Sequence, residues 1–188
     1  MTAALSAALT RGRSTTRTLD TTGRDFSAAQ VRSYGMPRTD TSSRVIDAPL
    51  ERVYAALVDP EQLSAWLPPD GMSGRFERFD ARSGGSYRLV LTYDDPSSTG
   101  GKTSADRDVV DARFVEIVPG VRVVQDVDFV SDDPAYAGTM TMTWAVTPEG
   151  PGTRVDITAA DVPDGISADD HATGLAASLA KLAALVER

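Results

Sequence analysis

The sequence predicts an α+β fold in which a curved antiparallel sheet of about seven strands wraps a long C-terminal helix. Two observations carry this. Between residues 71 and 162, short segments of alternating polar and apolar residues follow one another across brief turns containing Gly or Pro, the mark of an antiparallel meander. The final stretch, "SADDHATGLAASLAKLAALVER", switches to a helical period whose apolar stripe needs a large partner, and the concave face of the sheet is the one available.

The elements follow in order. "TSSRVIDA", from Thr41, reads as a strand. Pro49 sits where a first-turn proline belongs, and Leu50, Val53, Tyr54, Leu57 and Val58 follow at helical spacing. Asp59 can cap a second short helix that Pro60 starts and Pro68 stops. "GMSGRFERFDA" then leads through a Ser83–Gly85 turn into "SYRLVLTY", and "DDPSSTGGK" is a loop or hairpin tip. "DVVDARFVEIV", the Pro119-Gly120 turn and "VRVVQDVDFV" continue the meander. In "TMTMTWAVT", Met140, Met142, Trp144 and Val146 share one face while Thr139, Thr141, Thr143 and Thr147 share the other. "PEGPG" turns this strand into "TRVDITAADV". Ser167 and Asp170 have the spacing of a capping box, and Ala168, Ala172, Leu175, Ala176, Leu179, Leu182, Ala183 and Val186 form the expected stripe of the last helix.

Composition narrows the function classes. The chain has 188 residues, enough for one domain with a real core, and no run approaches the ~20 apolar residues of a membrane span. It has no cysteine, which excludes disulfides, thiolate metal sites and a cysteine nucleophile, and fits a reducing cytoplasm. A single histidine excludes a multi-histidine metal site, any metal would need carboxylates, and no spaced acidic loop of the calcium type is visible; no metal or other cofactor is expected. Residues 1–35 hold five arginines against two aspartates, leaving 14 basic and 25 acidic residues for the rest. The folded part is therefore acidic and unsuited to nucleic acid, whose phosphates demand cations. Residues 1–40 read as a disordered N-terminal extension and 41–188 as the domain. Because regular patterning starts just after Met36, the natural product is expected to begin there.

The order of these elements resembles the SRPBCC (START-like, helix-grip) superfamily, and within it the branch related to the activator of the heat-shock-protein-90 ATPase. The residues that carry the likeness are "IDAPLERVYAALVDPEQLSAWLPP" (46–69), "FDARSGGSYRL" (79–89), "RFVEIVPGVRVV" (113–124), "AGTMTMTWAV" (137–146), "GTRVDIT" (152–158) and "DHATGLAASLAKLAALVE" (170–187). Six such motifs in order are specific for the fold and much less so for function. The resemblance implies a seven-stranded sheet gripping the helix, two small helices closing one end, and an elongated apolar cavity between helix and sheet. It implies binding of a small hydrophobic molecule such as a lipid, polyketide or aromatic metabolite. A polyketide cyclase/aromatase-like enzyme and a chaperone-associated interaction module remain as alternatives, with a chaperone or a second copy as partner.

The candidate ligand-binding residues are His171, Gln125, Trp66, Tyr87, Leu91, Met142, Trp144 and Leu175. On a helical wheel His171 falls at the edge of the stripe, near the helix start. It can hydrogen-bond a loop carbonyl or a neighbouring Asp, touch a ligand, or act as a base, although no activated nucleophile accompanies it. Gln125 alternates with Val123, Val127 and Phe129, which predicts a polar group in an apolar wall that must find a partner. Tyr87, Leu91, Met142 and Trp144 are core residues that can also line a cavity, Met and aromatic side chains being adaptable there. Trp66 is expected at the lidded end, and Leu175 on the helix face over the cavity. No catalytic residue is assigned. An enzyme would need His171 and Gln125 to converge in one pocket. Arg113 and Glu116 fall on opposite faces of one strand by parity, and "GGSYRL" reads as a hairpin turn, without the helix N-terminus that a phosphate loop requires.

Overall fold

The computed structural model describes residues 38–95 and 107–188. The reading of residues 1–37, including a start at Met36, and the tip of the loop after Asp95 lie outside the described residues. Along the chain run β1 (Asp40–Ile46), α1 (Leu50–Val58), α2 (Pro60–Trp66), β2 (Met72–Phe79), β3 (Ser86–Tyr93), β4 (Arg107–Val118), β5 (Arg122–Phe129), β6 (Gly138–Glu149), β7 (Gly152–Ala160) and α3 (Ala168–Val186). The seven strands form one sheet in the order β1-β7-β6-β5-β4-β3-β2, every neighbouring pair antiparallel. Strands β2 to β7 are the predicted meander. β1 joins the far edge beside β7, so the two short helices bridge the two edges of the sheet.

Local chemistry explains the boundaries. Pro49 occupies the cap position just before α1, in extended conformation, instead of the first helical turn. Asp59 caps α2 as expected, accepting from the Gln62 N–H at 2.9 Å, and Pro60 opens the helix. Ser167 caps α3 by accepting from the Asp170 N–H at 3.1 Å. At the β2–β3 turn, a Cβ on Gly85 would stand 2.2 Å from the Asp80 carbonyl oxygen, so only glycine fits.

The inner face of the sheet and one side of α3 make the core. Met140, Met142, Trp144 and Val146 all point inward and are buried, as their alternation predicts. Such side chains contribute about 1.5–3 kcal/mol each when fully buried. Two expectations change. The buried stripe of α3 is His171, Gly174, Leu175, Ser178, Leu179, Leu182, Ala183 and Val186, whereas Ala168, Ala172 and Ala176 face solvent. His171 is thus inside the stripe and not at its edge. The small residues Gly174 and Ser178 form part of the inward face, and the Ser178 hydroxyl is spent on the Gly174 carbonyl.

The second change concerns β4. Its pairing with β5 shifts register between Phe114 and Glu116, and this bulge breaks the period of two. Phe114 is buried, Val115 is half exposed, and both charged neighbours end up outside. Arg113 pairs with Asp126 and Asp128, and Glu116 with Arg122. The outer face carries further cross-strand pairs, including a two-bond contact of Arg88 with Asp111 at 2.9 and 2.8 Å. That contact holds the Asp111 carboxyl below its ordinary value.

Candidate ligand-binding site

Gln125 points inward, as its alternation predicts, and is 4% exposed. Its amide oxygen accepts a 3.0 Å hydrogen bond from the Tyr87 hydroxyl, which comes from two strands away. Burial pushes the Tyr87 phenol far above its ordinary range, so it stays a neutral donor. Tyr87 is itself packed into an aromatic group with Phe76, Phe79 and Phe114. Met142, opposite Gln125 on β6, and Leu91, on β3, are fully buried.

Next to Gln125 lies a small internal void of about 10 Å³, lined by Leu57, Leu63, Trp66, Leu67, Gln125 and Trp144. It has about the room of one water molecule. Among the described residues, this small void stands where the resemblance implies an elongated cavity, and buried apolar side chains pack around it.

Trp66 forms one wall of that void. Its ring meets Trp144 edge-on, with centroids 5.4 Å apart. Its indole N–H donates to the Ala56 carbonyl at 2.9 Å. Ala56 is in the last turn of α1, and the residue four positions on is Pro60, which has no N–H to offer. The tryptophan thus satisfies an acceptor that the α1–α2 junction leaves open.

Trp66 also belongs to the lining of a surface cleft of about 530 Å³ between α2, the start of β2 and the end of α3. Pro68, Pro69, Met72 and Leu185 supply apolar lining, and Lys181 and Asp70 supply charge. Lys181 Nζ donates to the Pro68 carbonyl at 2.8 Å and pairs with Asp70. Gly74 permits this wall, because a Cβ there would come within 2.7 Å of Pro68 Cγ. Trp66 is thus shared by the lining of the open cleft and that of the small void.

His171 is elsewhere. It is fully buried, and its Nδ1 lies 2.6 Å from Asp40 Oδ2 on β1. The same carboxylate oxygen accepts from Arg38 Nε at 3.1 Å, and Arg38 Nη1 donates to the Ile166 carbonyl at 2.7 Å. These contacts pin the first strand to the start of α3. Burial holds the imidazole below its ordinary value of 6.5, with the Asp40 bond working against that shift. Nδ1–H then donates to Asp40, and Nε2 is a buried acceptor with no hydrogen-bond partner among the described residues. The aspartate partner was one of the alternatives for His171, but it comes from residue 40, on a segment that the sequence assigned to the extension.

Of the eight candidates, the structure brings Trp66, Gln125 and Trp144 together around the void, with Tyr87 and Met142 behind Gln125. It does not bring His171 to them: His171 is absent from the lining of the void and takes a different partner. Leu175, one turn along α3 from His171, is core. The convergence of His171 and Gln125 that an enzyme would need is not formed. Sequence reasoning missed Leu57, Leu63 and Leu67 as lining residues, and Lys181 with Asp70 in the cleft. The signal for Lys181 was present, since it is one of two lysines in the chain and interrupts an apolar run.

The comparisons with known proteins agree with this architecture. The family model "Activator of Hsp90 ATPase homolog 1-like protein" matches residues 47–187. Among solved structures, a Chromobacterium violaceum protein is similar at 35% identity and TM-score 0.68, over 80% of this chain and 97% of its own. A Mesorhizobium loti protein shares 23% identity with TM-score 0.63, over 80% of this chain and 98% of its own. An AHSA1-like protein from Aeromonas hydrophila shares 16% identity with TM-score 0.64, over 80% and 92%. These last two likenesses speak to the fold alone. No curated protein matches the chain. The sheet order, the gripped helix and a family match across nearly the whole domain lead to one conclusion: this chain belongs to the activator of Hsp90 ATPase homolog 1-like family, within the SRPBCC superfamily.

Proposed function

We propose that the protein binds a small hydrophobic ligand, which is taken up from the surface cleft and reaches the interior by displacing Trp66. One observation carries the reading: a single residue, Trp66, lines both the 530 Å³ cleft and the void at Gln125 and Trp144. Displacing the ring would break its hydrogen bond to the Ala56 carbonyl and its edge-on contact with Trp144, together about 1–3 kcal/mol, and would also uncover a side chain now buried in the core. Rotation of that ring toward the cleft would join the two spaces. The Gln125 amide, already oriented by Tyr87, would then be the polar group available to an oxygen of the ligand. The absence of cysteine suits a cytoplasmic setting.

The test is native mass spectrometry of the purified full chain, with extraction of anything retained, and thermal denaturation against straight-chain alcohols, fatty acids and aromatic polyketides. A ligand at 100 times its Kd adds about 2.7 kcal/mol, an upward Tm shift of roughly 5–10 °C for a domain of this size. A retained hydrophobe or such a shift supports the reading, and neither one appearing with any compound contradicts it.

A second reading has its own observation. The void among the described core residues is only about 10 Å³, which suits a protein-interaction module whose working surface is outside. Stimulation of a chaperone ATPase by the purified chain, unaltered by Trp66→Phe, would favour it.

A further inference from the structure

We propose that the ligand taken up at this cleft is an amphiphile with a single anionic head group, a carboxylate in the first instance, seated on Lys181. The inference rests on the hydrophobic-ligand reading above and adds the chemistry of the polar end.

Lys181 is the single described lysine, in a chain with 17 arginines. It stands between Ala180 and Leu182 in the most apolar part of α3. Its side chain is only 25% exposed, and the Pro68 carbonyl fixes the ammonium against the cleft wall. Its counter-charge, Asp70, is held very differently: that side chain is 91% exposed at the rim. An exposed carboxylate is a weak competitor, because exposed ion pairs contribute roughly 0–1 kcal/mol. A ligand carboxylate entering the cleft would take Asp70's place and return Asp70 to water at little cost. The apolar walls around Lys181, including Pro68 and Leu185, strengthen the new pair by lowering the local dielectric. Lysine is a compact point charge and suits one small anionic head, whereas a planar guanidinium favours two-bond recognition. With the head on Lys181, the tail points along the cleft toward Trp66, the wall shared with the interior.

The experiment measures Kd for decanoate and decanol with the full chain at low salt, by displacement of a fluorescent hydrophobic probe. Hydrogen bonds to a charged group are worth enough that decanoate is expected to bind about tenfold more tightly than decanol. Lys181→Met is expected to abolish that preference, and Lys181→Arg to keep part of it. Asp70→Asn, which removes the competitor and touches no core, is expected to tighten decanoate about threefold and leave decanol unchanged. Equal affinities for the two compounds, or a preference that survives in Lys181→Met, would overturn the inference while leaving the hydrophobic-ligand reading intact. Saturable binding of neither compound would overturn both.

Discussion

The two ends of α3 treat polar groups in opposite ways. At its start, His171, Asp40 and Arg38 form a closed set: the imidazole is fully buried and the carboxylate accepts from both neighbours. At its other end, Lys181 lies on the wall of an open cleft and shares its charge with an exposed, loosely held carboxylate. The first arrangement can only be broken, whereas the second can be exchanged. A buried polar residue is often read as a functional one, and here the more deeply buried end locks the fold while the half-covered end is the one proposed to take a ligand.

The comparison is broken most severely at the closed end. Asp40→Ala removes the acceptor of both His171 Nδ1 and Arg38 Nε and strands a buried donor, so urea denaturation should show a loss of about 2 kcal/mol. Decanol binding at the far end should be unchanged once the variant is folded. A loss of binding in the folded variant would mean that the two ends are coupled.

Acid should act on the same end. Because the folded state lowers the His171 value below 6.5, the unfolded chain takes up this proton first on acidification. This contribution to stability is present above pH 6.5 and is lost as pH falls from there toward the lower folded value. Arg38 and Asp40 are the charged groups that face the ring. His171→Asn should flatten this part of the pH–stability profile, and an unaltered profile would contradict the assignment of a neutral buried imidazole.

At the open end the effects on stability are smaller and those on binding larger. Trp66→Phe removes the bond to the Ala56 carbonyl, costing about 1 kcal/mol, and should speed probe uptake measured by stopped flow. Lys181→Met removes the surface pair with Asp70 and the bond to the Pro68 carbonyl, and should cost about 1 kcal/mol.

Much of this fold was legible because its signals are local. The Thr and Met alternation of β6 gave its two faces directly, and Asp59 and Ser167 announced their helices. The site was less legible for three physical reasons. On α3, alanine was counted as core, but Ala168, Ala172 and Ala176 are solvent-facing, while Gly174 and Ser178 are inside. On β4, parity fails at a bulge that leaves no mark in the pattern, so the outward placement of both Arg113 and Glu116 could not be read. The partner of His171 lies 131 residues away, and no local rule connects the two. Gln125 was found because its apolar neighbours on both sides reveal its face.

The most direct test of the account follows Trp66 itself. The chain has two tryptophans, and Trp144→Phe leaves Trp66 as the sole reporter at the wall between cleft and interior. Its fluorescence should be followed during titration with decanoate, with binding measured independently by probe displacement. The account predicts a saturable change in Trp66 emission that tracks occupancy, as the indole leaves the Ala56 carbonyl and its environment changes. Full occupancy with unchanged Trp66 emission would contradict it, since the ligand would then have reached its site without passing this ring.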